Sequence, residues 1–119
     1  MRVSANKVNP ILKKQIEETF IQTITDLKDT KELKVFLDDF FNQTEMETFT
    51  KRLAVAYWLK KQRSYNNIKN NLKVSSATIA TIQSLIQTPG FKLALTKMEA
   101  EEWANKWVEK ISQVWPKAK

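Results

Sequence analysis

Apolar residues recur along most of the chain at the three- and four-residue spacing of an α-helix, and no strand pattern is visible. Asn9-Pro10 opens the first helix, an N-cap residue followed by proline at the first helical position. Ile11, Leu12, Ile16, Phe20, Ile24 and Leu27 then form one stripe. Asp29-Thr30 breaks it and can cap a second helix, whose apolar face is Leu33, Phe36, Leu37, Phe40 and Phe41. A third helix runs to about Lys61, with Thr44 and Glu47 fitting a capping box at its start. Met46, Phe49, Leu53, Ala56 and Leu59 are expected inward; Tyr57 and Trp58 widen that surface, towards the chain's own core or a second subunit. Thr88-Pro89-Gly90 stops a helix, and a long final one is expected from about Phe91. Its stripe is Leu95, Met98, Trp103, Trp107, Ile111, Val114 and Trp115, too apolar to leave exposed.

Between these lies a segment of different character. Ile68 and Leu72 share one helical face, Ile79 and Ile82 another, and Val74 falls in the connection. Two short helices crossing steeply over one apolar plug fit this spacing, with Ser64 capping the first and Ser75 the second. With Ile79 and Ile82 pinned inward, the second helix turns Ser76, Ala77, Ala80 and Thr81 outward near its N-terminus. In a helix-turn-helix, here at about residues 64–87, those positions reach base edges. Ser75, Ser76, Ala77, Ala80 and Thr81 are therefore the base-contact candidates; hydroxyls can bond several bases, and alanine methyls can touch thymine.

Charge sharpens that picture. The chain carries +7 overall, and residues 51–90 hold seven basic groups and no acidic one. Such a window can displace condensed counterions from a duplex. Lys60, Lys61, Arg63, Lys69 and Lys73 are the candidates for holding phosphates, with Asn66 and Thr78 as neutral additions. A solvated basic face is the plainer reading of the charge alone.

Composition narrows the chemistry. One glycine and three prolines in 119 residues suit helices with short connections and one domain's worth of core. There is no cysteine and no histidine, which removes disulfides, thiol chemistry and the commonest base and metal ligand. No cofactor or metal is expected. The acidic pairs Glu17-Glu18, Asp38-Asp39 and Glu101-Glu102 are sequence neighbours, so on a helix their members diverge by about 100°. They look like solvated faces, and an enzyme is not expected. No stretch has the apolar length of a membrane span, and the N-terminus lacks a signal peptide's apolar run. A soluble cytoplasmic protein without membrane contact is the expectation.

Several landmarks in order resemble one family. They are Asp26-Leu27-Lys28, Phe36-Leu37-Asp38-Asp39-Phe40, Lys51-Arg52-Leu53-Ala54-Val55-Ala56, Ser64-Tyr65-Asn66-Asn67-Ile68 and Ser75-Ser76-Ala77-Thr78-Ile79. From about Phe20 to Leu95 the chain resembles the Trp repressor-like proteins, most closely their YerC/YecD branch with its S-T-A-T-I-S-R-V recognition run. Ile68-Lys69-Asn70-Asn71-Leu72 looks like the Trp repressor's own L-K-N-E-L.

The resemblance implies an all-α domain of about six helices and an intertwined homodimer. In that arrangement residues 8–61 supply dimerisation and core helices, 64–87 the helix-turn-helix and 91–115 a C-terminal amphipathic helix. It further implies a transcriptional regulator, usually a repressor, of double-stranded DNA. Three departures stand out. Thr81 occupies the position of a family arginine that in the Trp repressor helps hold the corepressor, which argues against tryptophan sensing here. Lys73 replaces a glycine usual in the turn, and fits if the backbone there avoids positive φ. The last helix runs beyond the branch's usual end. The alternative is a helical protein-interaction module whose helix-turn-helix has decayed, since residues 76–87 carry no arginine for the commonest guanine contact.

Overall fold

The computed structural model describes residues 6–114, with side chains through residue 102. Six helices succeed one another: α1 (Pro10–Asp26), α2 (Thr30–Phe40), α3 (Gln43–Lys60), α4 (Tyr65–Leu72), α5 (Ser76–Leu85) and α6 (Pro89–Val114). No strand occurs among the described residues. The all-α architecture is the one expected. Two compact units divide between Met46 and Glu47, inside the first turn of α3.

Side-chain caps set most helix starts. The Asn9 side chain accepts from the Ile11 amide at 2.8 Å, with Pro10 in the first turn where its missing N–H is no loss. Asp29 accepts from Lys31 at 2.8 Å. The expected box at Thr44 and Glu47 is displaced by two residues. Glu45 N–H donates to the Asn42 side chain at 2.8 Å, and Asn42 N–H donates to the Glu45 carboxylate at 2.9 Å. Asparagine outranks threonine as an N-cap, so of two overlapping signatures the earlier wins.

In the first unit a run of phenylalanines ties α1 to α2. Phe40 lies 5.6 Å from Phe20, 5.0 Å from Phe36 and 5.4 Å from Phe41, centroid to centroid. No residue of α1 or α2 is fully buried, and Ile11, Ile16 and Ile21 are exposed.

The second unit holds the core. Val55 and Ala56 of α3, Ile68 of α4, Ile79 and Ile82 of α5, and Leu95 of α6 are buried together. Tyr57, Trp58, Leu59, Leu72, Val74 and Met98 pack half-buried around them. The apolar plug of the two short helices is thus the one expected. The inward face of α3 is so only in part: Ala56 is buried and Leu59 half-buried as expected, whereas Phe49 and Leu53 are exposed and Val55 is buried instead. Tyr57 and Trp58 pack on the chain's own core.

One further expectation is corrected. Pro89 and Gly90 open α6 rather than merely closing the helix before it, because proline at a first helical position needs no hydrogen-bond partner. α5 ends instead where Thr88 N–H donates to the Leu85 carbonyl at 3.0 Å. Leu95 and Met98 of the α6 stripe reach the core. Trp103, Trp107, Ile111 and Val114 lie outside the described side chains, and Trp115 outside the described residues.

Candidate nucleic-acid interface

The C-terminal end of α3 fixes the first cation of the site. Gln62 N–H donates to Leu59 O at 2.9 Å, and Arg63 N–H reaches back to Trp58 O at 3.0 Å, while Gln62 adopts φ 61°. This is the Schellman arrangement, which folds the second residue past the cap onto the last helical turn. Arg63 consequently lies 4.3 Å above the Trp58 ring, and its guanidinium donates to the Asn67 side chain at 3.4 Å. A flexible cation becomes a positioned one.

α4 begins at Ser64, whose hydroxyl accepts from Asn67 N–H at 3.1 Å. It ends at Lys73, whose N–H donates to Lys69 O at 3.0 Å. Contrary to the expectation from sequence, Lys73 does take positive φ, with φ 56° and ψ 52°. The single amide-to-carbonyl bond of this C-terminal motif requires the left-handed conformation at that residue. A lysine can adopt it, at a cost of about 1 kcal/mol that glycine avoids.

α5 begins one connection later. The Ser75 hydroxyl accepts from Thr78 N–H at 3.1 Å and lies 2.9 Å from the Thr78 hydroxyl. Its role is therefore to cap the helix, and Thr78 is drawn into the same cap. Ser76, Ala77, Ala80 and Thr81 are exposed, so the helix tip is open. The Thr81 hydroxyl donates to Ala77 O at 3.0 Å. With its hydrogen so engaged, that oxygen presents lone pairs to anything above it.

The basic residues are not equivalent. Lys69 and Lys73 are exposed and have no carboxylate in ion-pair reach among the described residues. Asn66 is exposed beside them on α4. Lys61 instead pairs with Glu102 of α6 at 3.0 Å and lies 5.6 Å from the Tyr57 ring centroid. Lys60 faces a different neighbourhood, past the C-terminal end of α5, with Ile86, Gln87 and Lys92. The window without acidic residues is thus partly neutralised in space by carboxylates from outside it. Lys51, paired with Glu47 at 2.9 Å, is a second case.

Sequence reasoning missed one part of the site. Thr48 and Arg52 of α3 join Ala77, Thr78 and Thr81 around a cavity of about 350 Å³. The four-residue spacing of Thr48 and Arg52 puts both on one face of α3, a signal present in the sequence. Ala77 and Thr81 therefore edge a concavity as well as the helix tip.

Two short helices crossing at a tight turn, the second with its N-terminal surface open, define a helix-turn-helix domain. The chain belongs to the Trp repressor family: the family model described as Trp repressor protein matches residues 15–99. A similar protein, "Uncharacterized protein YerC" of Bacillus subtilis (strain 168), is 26% identical over 98 residues, covering 81% of this chain and 93% of that one. No solved structure matches the chain. The Trp repressor family is one of helical DNA-binding regulators. Among the described residues no group of side chains could hold a metal ion, and no helix is long and apolar enough to cross a membrane.

Proposed function

We propose that the protein is a sequence-specific regulator of transcription, a repressor, that reads double-stranded DNA through the major groove as a homodimer. One observation carries this reading: the open tip of α5 is small and uncharged, from Ser76 to Thr81, and unpaired Lys69 and Lys73 stand next to it on the preceding helix and turn. Small side chains let a helix sit deep in the groove, while lysines at its margin neutralise phosphates. Ser76, Ala77, Ala80 and Thr81 contact base edges. Ser75 and Thr78 act through the cap that fixes the helix start. Lys69, Lys73, Arg63 and Asn66 hold the backbone, and the free amides at the start of α5 suit a phosphate as well. Lys61, tied to Glu102, contributes less.

The exposed stripe of α1 supports a dimer. Ile11 is 72% exposed and Ile16 is 52%, large apolar side chains that are costly to leave in water. In this reading residues 8–61 supply the dimer's interlocked helices. Two reading heads then lie about 34–36 Å apart, one helical turn of DNA. Tryptophan is not the effector, since the cavity beside Thr81 offers a single guanidinium, that of Arg52.

A second reading has its own observation: α5 carries no charged side chain, so the helix-turn-helix serves as a scaffold for protein contact. Selecting bound sites from random duplex DNA separates the two. DNA reading yields an enriched sequence in two half-sites one helical turn apart. A protein-docking scaffold yields no enrichment.

A further inference from the structure

Beyond the C-terminal end of α5 lies a second concavity, of about 290 Å³, lined by Lys60, Ile86, Gln87, Lys92, Leu95 and Thr96. Ser76 and Ile86 are ten residues apart, so this cleft sits about 15 Å along the helix from the reading tip. Its electrostatics are one-sided. No carboxylate lines it, and among the described residues none lies within ion-pair reach of Lys60 or Lys92.

The two lysines are placed for different reasons. Lys60 ends α3, where a cation complements the negative end of the helix dipole. Lys92 stands in the first turn of α6, where the dipole is positive and a cation is unfavourable. No acidic residue in that turn compensates it. Two lysines thus border one hollow, with Gln87 and Thr96 adding hydrogen-bond capacity. Half-buried Ile86 and buried Leu95 give the hollow an apolar floor.

We propose that this cleft binds a small phosphate monoester, its phosphate between Lys60 and Lys92 and a short apolar body against Ile86 and Leu95. Lysine binds phosphate as a point charge, and a monoester's near-dianionic head with its three terminal oxygens can accept from two ammonium groups at once. A volume just under 300 Å³ is at the small end of metabolite sites, which limits the body to a single ring or a short chain. The site is independent of how α5 reads DNA.

The test is a titration of the full chain, monitored by amide NMR, with inorganic phosphate and with phenyl phosphate, each against sodium chloride of equal ionic strength. Both phosphates should give saturable shifts confined to Lys60, Gln87, Lys92 and Thr96, with phenyl phosphate binding more tightly. Lys60→Gln with Lys92→Gln should weaken binding by roughly tenfold or more, about 1.4 kcal/mol per decade. Lys60→Arg with Lys92→Arg should largely retain it. Shifts that chloride reproduces, or that spread over all lysines, overturn the proposal. So does a double glutamine variant that binds phosphate like the parent. The same variant is tested on duplex DNA: loss of duplex binding without saturable phosphate binding would make the cleft a DNA-backbone contact instead.

Discussion

Lys73 carries two demands that pull in opposite directions. Its backbone takes a left-handed conformation that glycine adopts freely, and its side chain stands exposed beside the start of α5. Lys73→Gly should therefore raise stability by about 0.5–1 kcal/mol while weakening binding to every duplex. Thermal melting and a binding titration on the same variant check both signs. At Ser75 the demands coincide. Ser75→Ala removes the acceptor for Thr78 N–H and should lower stability by about 1 kcal/mol, with a fall in duplex affinity as α5 frays at its reading end. Thr81 differs again, because its hydroxyl already donates to Ala77 O. It can only accept from a base, so Thr81→Ala should change the preferred base at one position of each half-site and leave the salt dependence of binding untouched. Repeating the selection from random duplexes with that variant reads the change.

At the scale of elements, stability resides in the crossing of α4 and α5. Ile68, Ile79 and Ile82 are buried where the two helices meet α3 and α6. Ile79→Ala should cost about 2–5 kcal/mol in a urea titration, whereas Phe49→Ala, at a side chain 40% exposed, should cost much less. This pair of helices is legible in the sequence because its aliphatics occupy a single face of each helix and leave no other solution. α3 is not legible in the same way. Apolar residues occur all round it, so spacing places Ala56 and Leu59 inward but does not decide between Phe49 with Leu53 and Val55. Packing against α4 to α6 decides it. Helix starts show the same division. Asn9, Asp29, Ser64 and Ser75 are cap candidates in the sequence, and each caps the helix expected of it. Asn42 with Glu45 competes with Thr44 with Glu47, and two interlocking hydrogen bonds at 2.8 and 2.9 Å settle the choice.

For the whole molecule the relevant quantity is charge in space. Along the sequence, residues 51–90 carry no acidic group, yet Glu47 reaches Lys51 and Glu102 reaches Lys61. The four-residue spacing of Glu47 and Lys51 shows the first pair in the sequence, but the second is hidden there, because Glu102 stands forty-one positions beyond Lys61. What they leave is a cationic surface of Lys69, Lys73, Arg63 and Arg52 beside α5, and separately Lys60 and Lys92. Lys61→Ala should accordingly weaken duplex binding less than Lys69→Ala does. Added L-tryptophan should leave duplex affinity unchanged, since Thr81 stands where the family carries a second cation. A titration of one duplex with and without the amino acid checks this.

In the proposed reading Lys69 and Lys73 hold phosphates while the tip of α5 enters the groove. Duplex affinity measured across a range of salt concentrations probes that reading, for the parent and for Lys69→Ala with Lys73→Ala. Each lysine–phosphate contact contributes a slope of about −0.9 in log affinity against log salt. The parent should give a steep line, and the double variant one shallower by about 1.8 per reading head with affinity lost on all sequences alike. A parent line that is flat, or a double variant whose line coincides with the parent's, would contradict it.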